Sequence, residues 1–276
     1  TTFGARGEYN TDTAGIIDYT NNAFGVAYIH ENETIKLGNS SGWYAGAVNN
    51  TFKFKDIGKS KENVTMVKAG LYKTKAFDNN GSLQWTISGE GFASRSAMER
   101  KYLVVDEIFK AKSDYNTYGV AVKNEISKEF RTGERFSIRP YGSLKLEYGK
   151  FGDIKEKSGE MRLEVKGNDY ISVKPEVGME FKYKRAVGRY GTFSTTLGLG
   201  YENELGKVDN VKNKARVANT NAEWFGIRSE KDDRKGNFKA DLTIGIDNSK
   251  FGVTVNGGYD TKGKNVRGGI GFKFMY

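Results

Sequence analysis

The feature that most constrains this chain is a two-residue alternation of apolar and polar side chains, repeated in segments of about 10 residues. Phe238, Ala240, Leu242, Ile244 and Ile246 alternate with Lys239, Asp241, Thr243, Gly245 and Asp247. Phe251, Val253, Val255 and Tyr259 alternate with Gly252, Thr254, Asn256 and Gly258. The same pattern recurs over Phe193–Tyr201, Val173–Tyr183 and Val266–Tyr276. Successive strand side chains point to opposite faces, so each segment is a β-strand with one apolar and one polar face. Strands are expected near 2–10, 21–32, 41–54, 62–75, 82–95, 115–128, 135–148, 171–184, 191–205, 236–247, 250–260 and 264–276, about 12 in all.

The connections carry a second signal. From mid-chain onward, long charged loops (96–114, 149–170, 206–235) alternate with short turns such as Asp78-Asn79-Asn80-Gly81 and Asp247-Asn248-Ser249. In an antiparallel meander, alternate connections lie at opposite ends. One end therefore carries long loops and the other short turns, the asymmetry of an outer-membrane barrel. A soluble barrel or sandwich would point its apolar face inward, yet here the inner face would be Gly, Thr, Lys and Glu. Aromatic residues cluster at strand ends. Tyr148, Tyr183, Phe193, Tyr201, Phe251 and Tyr259 are expected to form the girdle at the membrane interfaces. From Phe251 to Tyr259 is on the order of 20 Å at a tilt of roughly 40°, close to the apolar band of such barrels. The fold expected is an all-β, transmembrane, antiparallel up-and-down barrel with both termini periplasmic, occupying 1–276 as a single domain.

Pro140 and Pro175 stand inside expected strands, where a residue without N–H breaks a ladder. A bulge shared by the two strands of the 135–184 hairpin is expected to absorb both.

Composition removes most other functions. The chain has no Cys and one His, which excludes disulfide frameworks, thiolate zinc sites and multi-His metal centres; no cofactor or metal is expected. No run approaches the roughly 18 apolar residues of a transmembrane helix, and no secretory leader opens the chain, so Thr1 reads as a cut or processed end. The net charge of +10 invites a nucleic-acid reading, but bases interleave with acids, as in Glu230-Lys231-Asp232-Asp233-Arg234-Lys235, and no basic aromatic stripe appears. A surplus of Lys and Arg near the outer rim fits contact with anionic lipopolysaccharide. Gly58-Lys59-Ser60 is not a P-loop, because Lys53 holds the first glycine position. His30, the single imidazole, is expected at the rim or in the lumen, and no enzyme is expected.

Several ordered motifs then bear on family. Ser41-Gly42-Trp43-Tyr44-Ala45-Gly46, Arg139-Pro140-Tyr141-Gly142-Ser143-Leu144, and Thr196-Leu197-Gly198-Leu199-Gly200-Tyr201 before a long loop are three of them. The last is Val266 to Tyr276, alternating to a terminal aromatic. Together, over essentially the whole chain, they resemble the C-terminal translocator domain of classical monomeric type V autotransporters, in style those of large Lys-rich surface adhesins. The resemblance implies a Gram-negative outer-membrane barrel that anchors and exports its own N-terminal passenger. It implies four partners: membrane lipid and lipopolysaccharide, the barrel-assembly machinery, an upstream linker helix, and the passenger. It also implies a monomer. Ile270, Phe272, Phe274 and Tyr276 look like the insertion signal, a strand edge that a partner can read by β-augmentation. The family's amphipathic linker helix does not precede the first strand within this chain and is expected upstream.

A barrel of about 12 strands has a backbone diameter of roughly 24 Å, leaving on the order of 10 Å inside, the width of one helix. The pore-lining residues expected are Arg139, Lys145, Glu147, Lys174, Glu176, Glu180, Lys182, Glu202, Lys239, Asp241, Arg267 and Lys273. A passive porin-like channel, and an adhesive barrel whose long loops bind ligands, are the alternatives the pattern leaves open.

Overall fold

The computed structural model describes residues 2–9, 19–33, 37–56, 58–104, 107–158, 163–206, 212–217, 225–228, 236–261 and 264–274. Regular structure among them is essentially all strand. In chain order the strands are β1 (Thr2–Tyr9), β2 (Tyr19–Glu33), β3 (Ser40–Phe54), β4 (Lys61–Ala76), β5 (Leu83–Val104), β6 (Glu107–Lys128), β7 (Phe130–Arg131), β8 (Phe136–Phe151) and β9 (Ile154–Ser158). They continue as β10 (Leu163–Val165), β11 (Asp169–Val187), β12 (Gly191–Asn203), β13 (Lys212–Val217), β14 (Phe225–Arg228), β15 (Gly236–Asp247), β16 (Phe251–Asp260) and β17 (Asn265–Phe274).

Twelve of these strands close a ring. Around the wall they run β1, β2, β3, β4, β5, β6, β8, β11, β12, β15, β16 and β17, each antiparallel to the next. β17 returns to β1 in register from Thr2↔Phe272 to Glu8↔Val266, so neither terminal strand leaves an open edge. β1 starts and β17 ends at the rim that carries the short turns 77–82, 188–190 and 248–250.

The expected strands are found within about three residues of their positions, with one difference. Residues 96–104 and 107–114, expected as loop, are strand. β5 and β6 each run 22 residues and pair without interruption from Leu83↔Lys128 to Val104↔Glu107. Above a membrane a strand needs no apolar face, so Glu99, Arg100, Lys101, Lys110 and Lys112 made a paired arm look like a charged loop. Parts of the other long connections also join the sheet. β9 pairs with β6, β10 with β9, β13 with β10 and β14 with β13, which extends the wall at the long-loop end over one sector. Arg100 reaches across this extension to grip the buried Glu156 carboxylate through two hydrogen bonds of 2.8 and 2.9 Å. Beside it, Lys157 donates to Asp114 at 2.6 Å, and that hydrogen bond holds the Asp114 carboxyl below its usual range.

The prolines are accommodated without a bulge. The β8–β11 register is unbroken, Pro140 facing Met179 and Pro175 facing Leu144. Each proline instead lies where its other ladder stops. The β6–β8 ladder ends at Ser127↔Tyr141 and resumes as β7 at Phe130↔Ile138, while the intervening Glu129 N–H donates to Ser82 O at 3.0 Å. The β11–β12 ladder starts at Glu176↔Glu202, one residue beyond Pro175. A missing donor is harmless at such an interruption, so no extra residue is needed.

Packing is inverted relative to a water-soluble domain. The buried apolar residues among those described are Ala76, Ala111 and Ala121, whereas Phe24 (65 % exposed), Leu71 (68 %), Val177 (63 %) and Phe238 (63 %) stand in the open. Such an array is stable only where its surroundings are apolar. On the opposite face, glycines admit neighbouring rings. Tyr44 lies over Gly70, and Tyr141 over Gly178, where an added Cβ would sit 2.5 Å from the Tyr141 hydroxyl and 2.7 Å from Leu199 O. Gly178→Ala is therefore expected to lower the urea midpoint of the refolded barrel by the equivalent of about 1–3 kcal/mol. Gly198→Ala, whose Cβ would meet nothing nearer than 4.0 Å, is expected to leave it unchanged.

Candidate functional site

On the concave side of a curled sheet, side chains two strands apart converge; on the convex side they diverge. The ion pairs therefore identify the inner face. Tyr44 of β3 donates to Glu90 of β5 at 2.6 Å, across β4. Lys239 of β15 bonds Glu176 of β11 at 3.0 Å, across β12. Tyr72 of β4 bonds Glu31 of β2, and Tyr115 of β6 bonds Glu62 of β4. These residues share one parity along their strands, and the exposed apolar strand residues, Ile29 and Phe151 excepted, hold the other.

The inner face is a mutually neutralised belt. Arg139 binds Glu125 at 2.9 Å and Glu180 at 3.2 Å, and Lys182 lies 3.5 Å from Glu180. Glu176 also accepts from Tyr141 at 2.7 Å. Lys239 holds Glu202 at 3.3 Å as well as Glu176. Glu90 gathers Lys68 at 3.2 Å and Lys145 at 4.0 Å, and Lys145 lies 3.8 Å from Glu147. Arg267 lies between Asp241 and Asp260, 2.9 Å from each. Each of these charges thus has an opposite partner within 4.0 Å.

The register places every expected pore residue on this parity: Arg139, Lys145 and Glu147 on β8, Lys174, Glu176, Glu180 and Lys182 on β11, and Glu202 on β12. Lys239 and Asp241 on β15 and Arg267 and Lys273 on β17 share it. The girdle candidates Tyr148, Tyr183, Phe193, Tyr201, Phe251 and Tyr259 fall on the apolar parity, as do Ile270, Phe272 and Phe274. Tyr276 lies outside the described residues. The sequence reading missed Tyr44, Lys68, Glu90, Glu125 and Tyr170, all inner partners of the belt. The alternation Val67, Lys68, Ala69, Gly70, Leu71, Tyr72 could have revealed part of this set. His30 is exposed at the short-turn rim with its ring 6.0 Å from that of Trp43, on the outer parity and not in the lumen. No cluster of metal-ligating side chains occurs among the described residues.

The comparisons with known proteins decide what kind of barrel this is. The family model of the autotransporter β-domain matches residues 1–270. The chain belongs to the autotransporter β-domain family. It is therefore an outer-membrane β-barrel of the type V secretion class in a Gram-negative bacterium, a transport module. Solved structures agree on the fold. The translocator domain of the autotransporter NalP from Neisseria meningitidis superposes with a TM-score of 0.72 at 10% identity, over 100% of this chain and 86% of that one. The β-domain of the Bordetella autotransporter BrkA gives 0.66 at 11%, over 100% and 98%. The transport unit of AIDA-I from Escherichia coli gives 0.54 at 12%, over 100% and 89%. A search of curated proteins by sequence finds no match.

This autotransporter β-domain contains no native thiol, so single-cysteine variants report its two faces directly. In reconstituted barrels, Glu180→Cys is expected to react quickly with a membrane-impermeant thiol reagent, and the adjacent Met179→Cys is expected to stay protected by lipid. Equal rates would reject the inner-face assignment.

Proposed function

We propose that this β-domain anchors its own N-terminal passenger in the outer membrane and delivers it to the cell surface through, or in concert with, the barrel lumen. One observation carries the reading: a closed, charge-neutralised channel whose first and last strands both meet the short-turn rim. If that rim faces the periplasm, a polypeptide entering ahead of Thr1 is already positioned at the mouth. The lumen includes a cavity of 1540 Å³ bounded in part by Ala27, Tyr44, Gly46, Lys68 and Phe92. That equals a cylinder about 10 Å wide and about 20 Å long, enough for a few turns of helix. An upstream linker helix is the occupant proposed for it, and small inner residues such as Ala27 and Gly46 suit its close approach.

The remaining assignments belong to the same proposal. The segment 1–276 acts as one monomeric domain. Arg139, Glu176, Glu180, Lys239 and their partners keep the passage wet. The apolar stripe Ile270, Phe272, Phe274, completed by Tyr276, presents the last strand to the barrel-assembly machinery. The girdle aromatics sit at the two interfaces. A second reading, an adhesive barrel, draws on the sheet extension of β9, β10, β13 and β14, which gives the long-loop end a built surface. Lipopolysaccharide is the ligand proposed for its basic residues.

The experiment is surface exposure. A tagged, helix-forming linker is fused ahead of Thr1, expressed with a signal peptide, and intact cells are shaved with protease. Removal of the tag, with a heat-modifiable barrel left behind, is the result expected. A folded barrel with a protected tag would favour the porin-like or adhesive readings.

A further inference from the structure

The outer wall carries a groove that membrane lipid as a mere solvent does not explain. One cross-strand row on the apolar parity runs Trp85 (β5), Ile126 (β6), Gly142 (β8), Val177 (β11), Tyr201 (β12). These residues line a single hollow of 640 Å³. Its floor is Gly142, where an added Cβ would meet nothing within 4 Å. Four interstrand steps of about 4.8 Å make it on the order of 19 Å long. The row starts two residues inside the short-turn end of β5 and reaches β12 two residues from its long-loop end, so it climbs the wall obliquely. Two amides line it: Asn124 of β6, among apolar neighbours, and Asn203 at the long-loop end of β12, whose oxygen already accepts from Glu204 N at 3.0 Å.

The short-turn end of this groove is positively charged. Lys75 is the direct cross-strand partner of Trp85, and Lys128 is the next outer-parity residue after Ile126 on β6. Each ammonium stands over an exposed ring, Lys75 at 5.8 Å from the Phe77 centroid and Lys128 at 5.2 Å from that of Phe130. Neither lysine has an acidic partner among the described residues. Two cations held at the interface by aromatic rings, at the mouth of an apolar groove with the Asn124 amide two residues past Ile126, complement a molecule with an anionic head, an ester linkage and a long hydrocarbon chain.

We propose that this groove is a binding site for an anionic glycerophospholipid of the phosphatidylglycerol type. Its phosphate lies between Lys75 and Lys128, its ester carbonyl is within reach of the Asn124 amide, and one acyl chain lies over Gly142 between Trp85 and Tyr201. The assignment to the periplasmic leaflet rests on the orientation adopted above; the chemistry of the site does not.

The test uses Trp85 as its own reporter. With Trp43→Phe and Trp224→Phe, the folded chain keeps one tryptophan. It is reconstituted in phosphatidylcholine vesicles containing brominated phosphatidylglycerol or, at the same mole fraction, brominated phosphatidylcholine. The expected result is stronger quenching by the anionic lipid, with a relative association constant of about fivefold or more per interfacial lysine. Lys75→Gln with Lys128→Gln should remove that preference and leave the background quenching. Gly142→Leu, which enters open space and leaves the barrel heat-modifiable, should reduce quenching by both lipids. Equal quenching by the two lipids in the parent chain, or a preference that survives the double lysine variant, would overturn the proposal. So would preferential displacement of the quencher by lipid A, which would assign the groove to the other leaflet's lipid. None of these readouts depends on passenger export, so a failed shaving experiment and a failed quenching experiment remain separate results.

Discussion

The rest of this structure depends on one requirement: in hydrocarbon every backbone N–H and C=O must find a partner within the protein, because each unpaired group costs several kcal/mol. The pairing of β17 with β1 meets it. Without the seven matched positions from Thr2↔Phe272 to Glu8↔Val266, two strand edges would face lipid along their whole length. Closure then dictates where irregularities can sit. Pro140 and Pro175 are tolerated because each stands at a point where a ladder has already stopped, so the same requirement that forbids proline inside a ladder selects these two places.

Closure also fixes the interior. A ring of twelve strands at the usual spacing and tilt leaves a channel about one helix wide. Its side chains cannot escape one another, and contacts between strands two apart follow. The inner wall answers by pairing charges of opposite sign, so that Glu176 serves Tyr141 and Lys239, and Glu90 serves Tyr44, Lys68 and Lys145. None of these partners is deeply buried, and their value lies less in stability than in bracing the wall while leaving it wet. A polypeptide passage of the kind proposed above needs that combination of a rigid rim-to-rim frame and a lining that binds no single charge strongly.

Much of this was legible in the sequence, because period two is a direct image of a two-sided wall. Segments such as Phe238–Asp247 and Phe251–Asp260 are found as strands almost to the residue, since lipid on one side and water on the other impose strict alternation. The alternation fails as a guide where both sides meet water. Residues 96–114 therefore read as a loop although β5 and β6 pair along them up to Val104↔Glu107. The proline bulge was a misreading of a different kind. Local chemistry says that a ladder must be broken at Pro140, but only the register reveals that β6 and β7 leave a break there already. Inner residues such as Lys68 and Glu90 escaped notice because the N-terminal strands carry small residues, Ala45, Ala47 and Ala69, on their outer parity, which blunts the contrast that alternation depends on.

The glycines show how the two faces differ once the wall exists. A glycine in a strand leaves a gap that something must fill, since an empty hollow forfeits dispersion contacts on every side. On the inner face the protein fills most such gaps, Gly198 excepted: Tyr44 covers Gly70, Phe92 covers Gly119, Tyr170 covers Gly149 and Tyr141 covers Gly178. Convergence on the concave side makes this easy. On the outer face neighbouring side chains splay apart, and Gly89, Gly142, Gly257 and Gly268 have nothing closer than 3.9 Å around a would-be Cβ. Their gaps are left to the solvent of that face, which is hydrocarbon. Where such a gap is also long, walled by Trp85 and Tyr201 and headed by two cations, the solvent molecule that fills it is held by charge as well as by shape, and a groove in the wall becomes a lipid site.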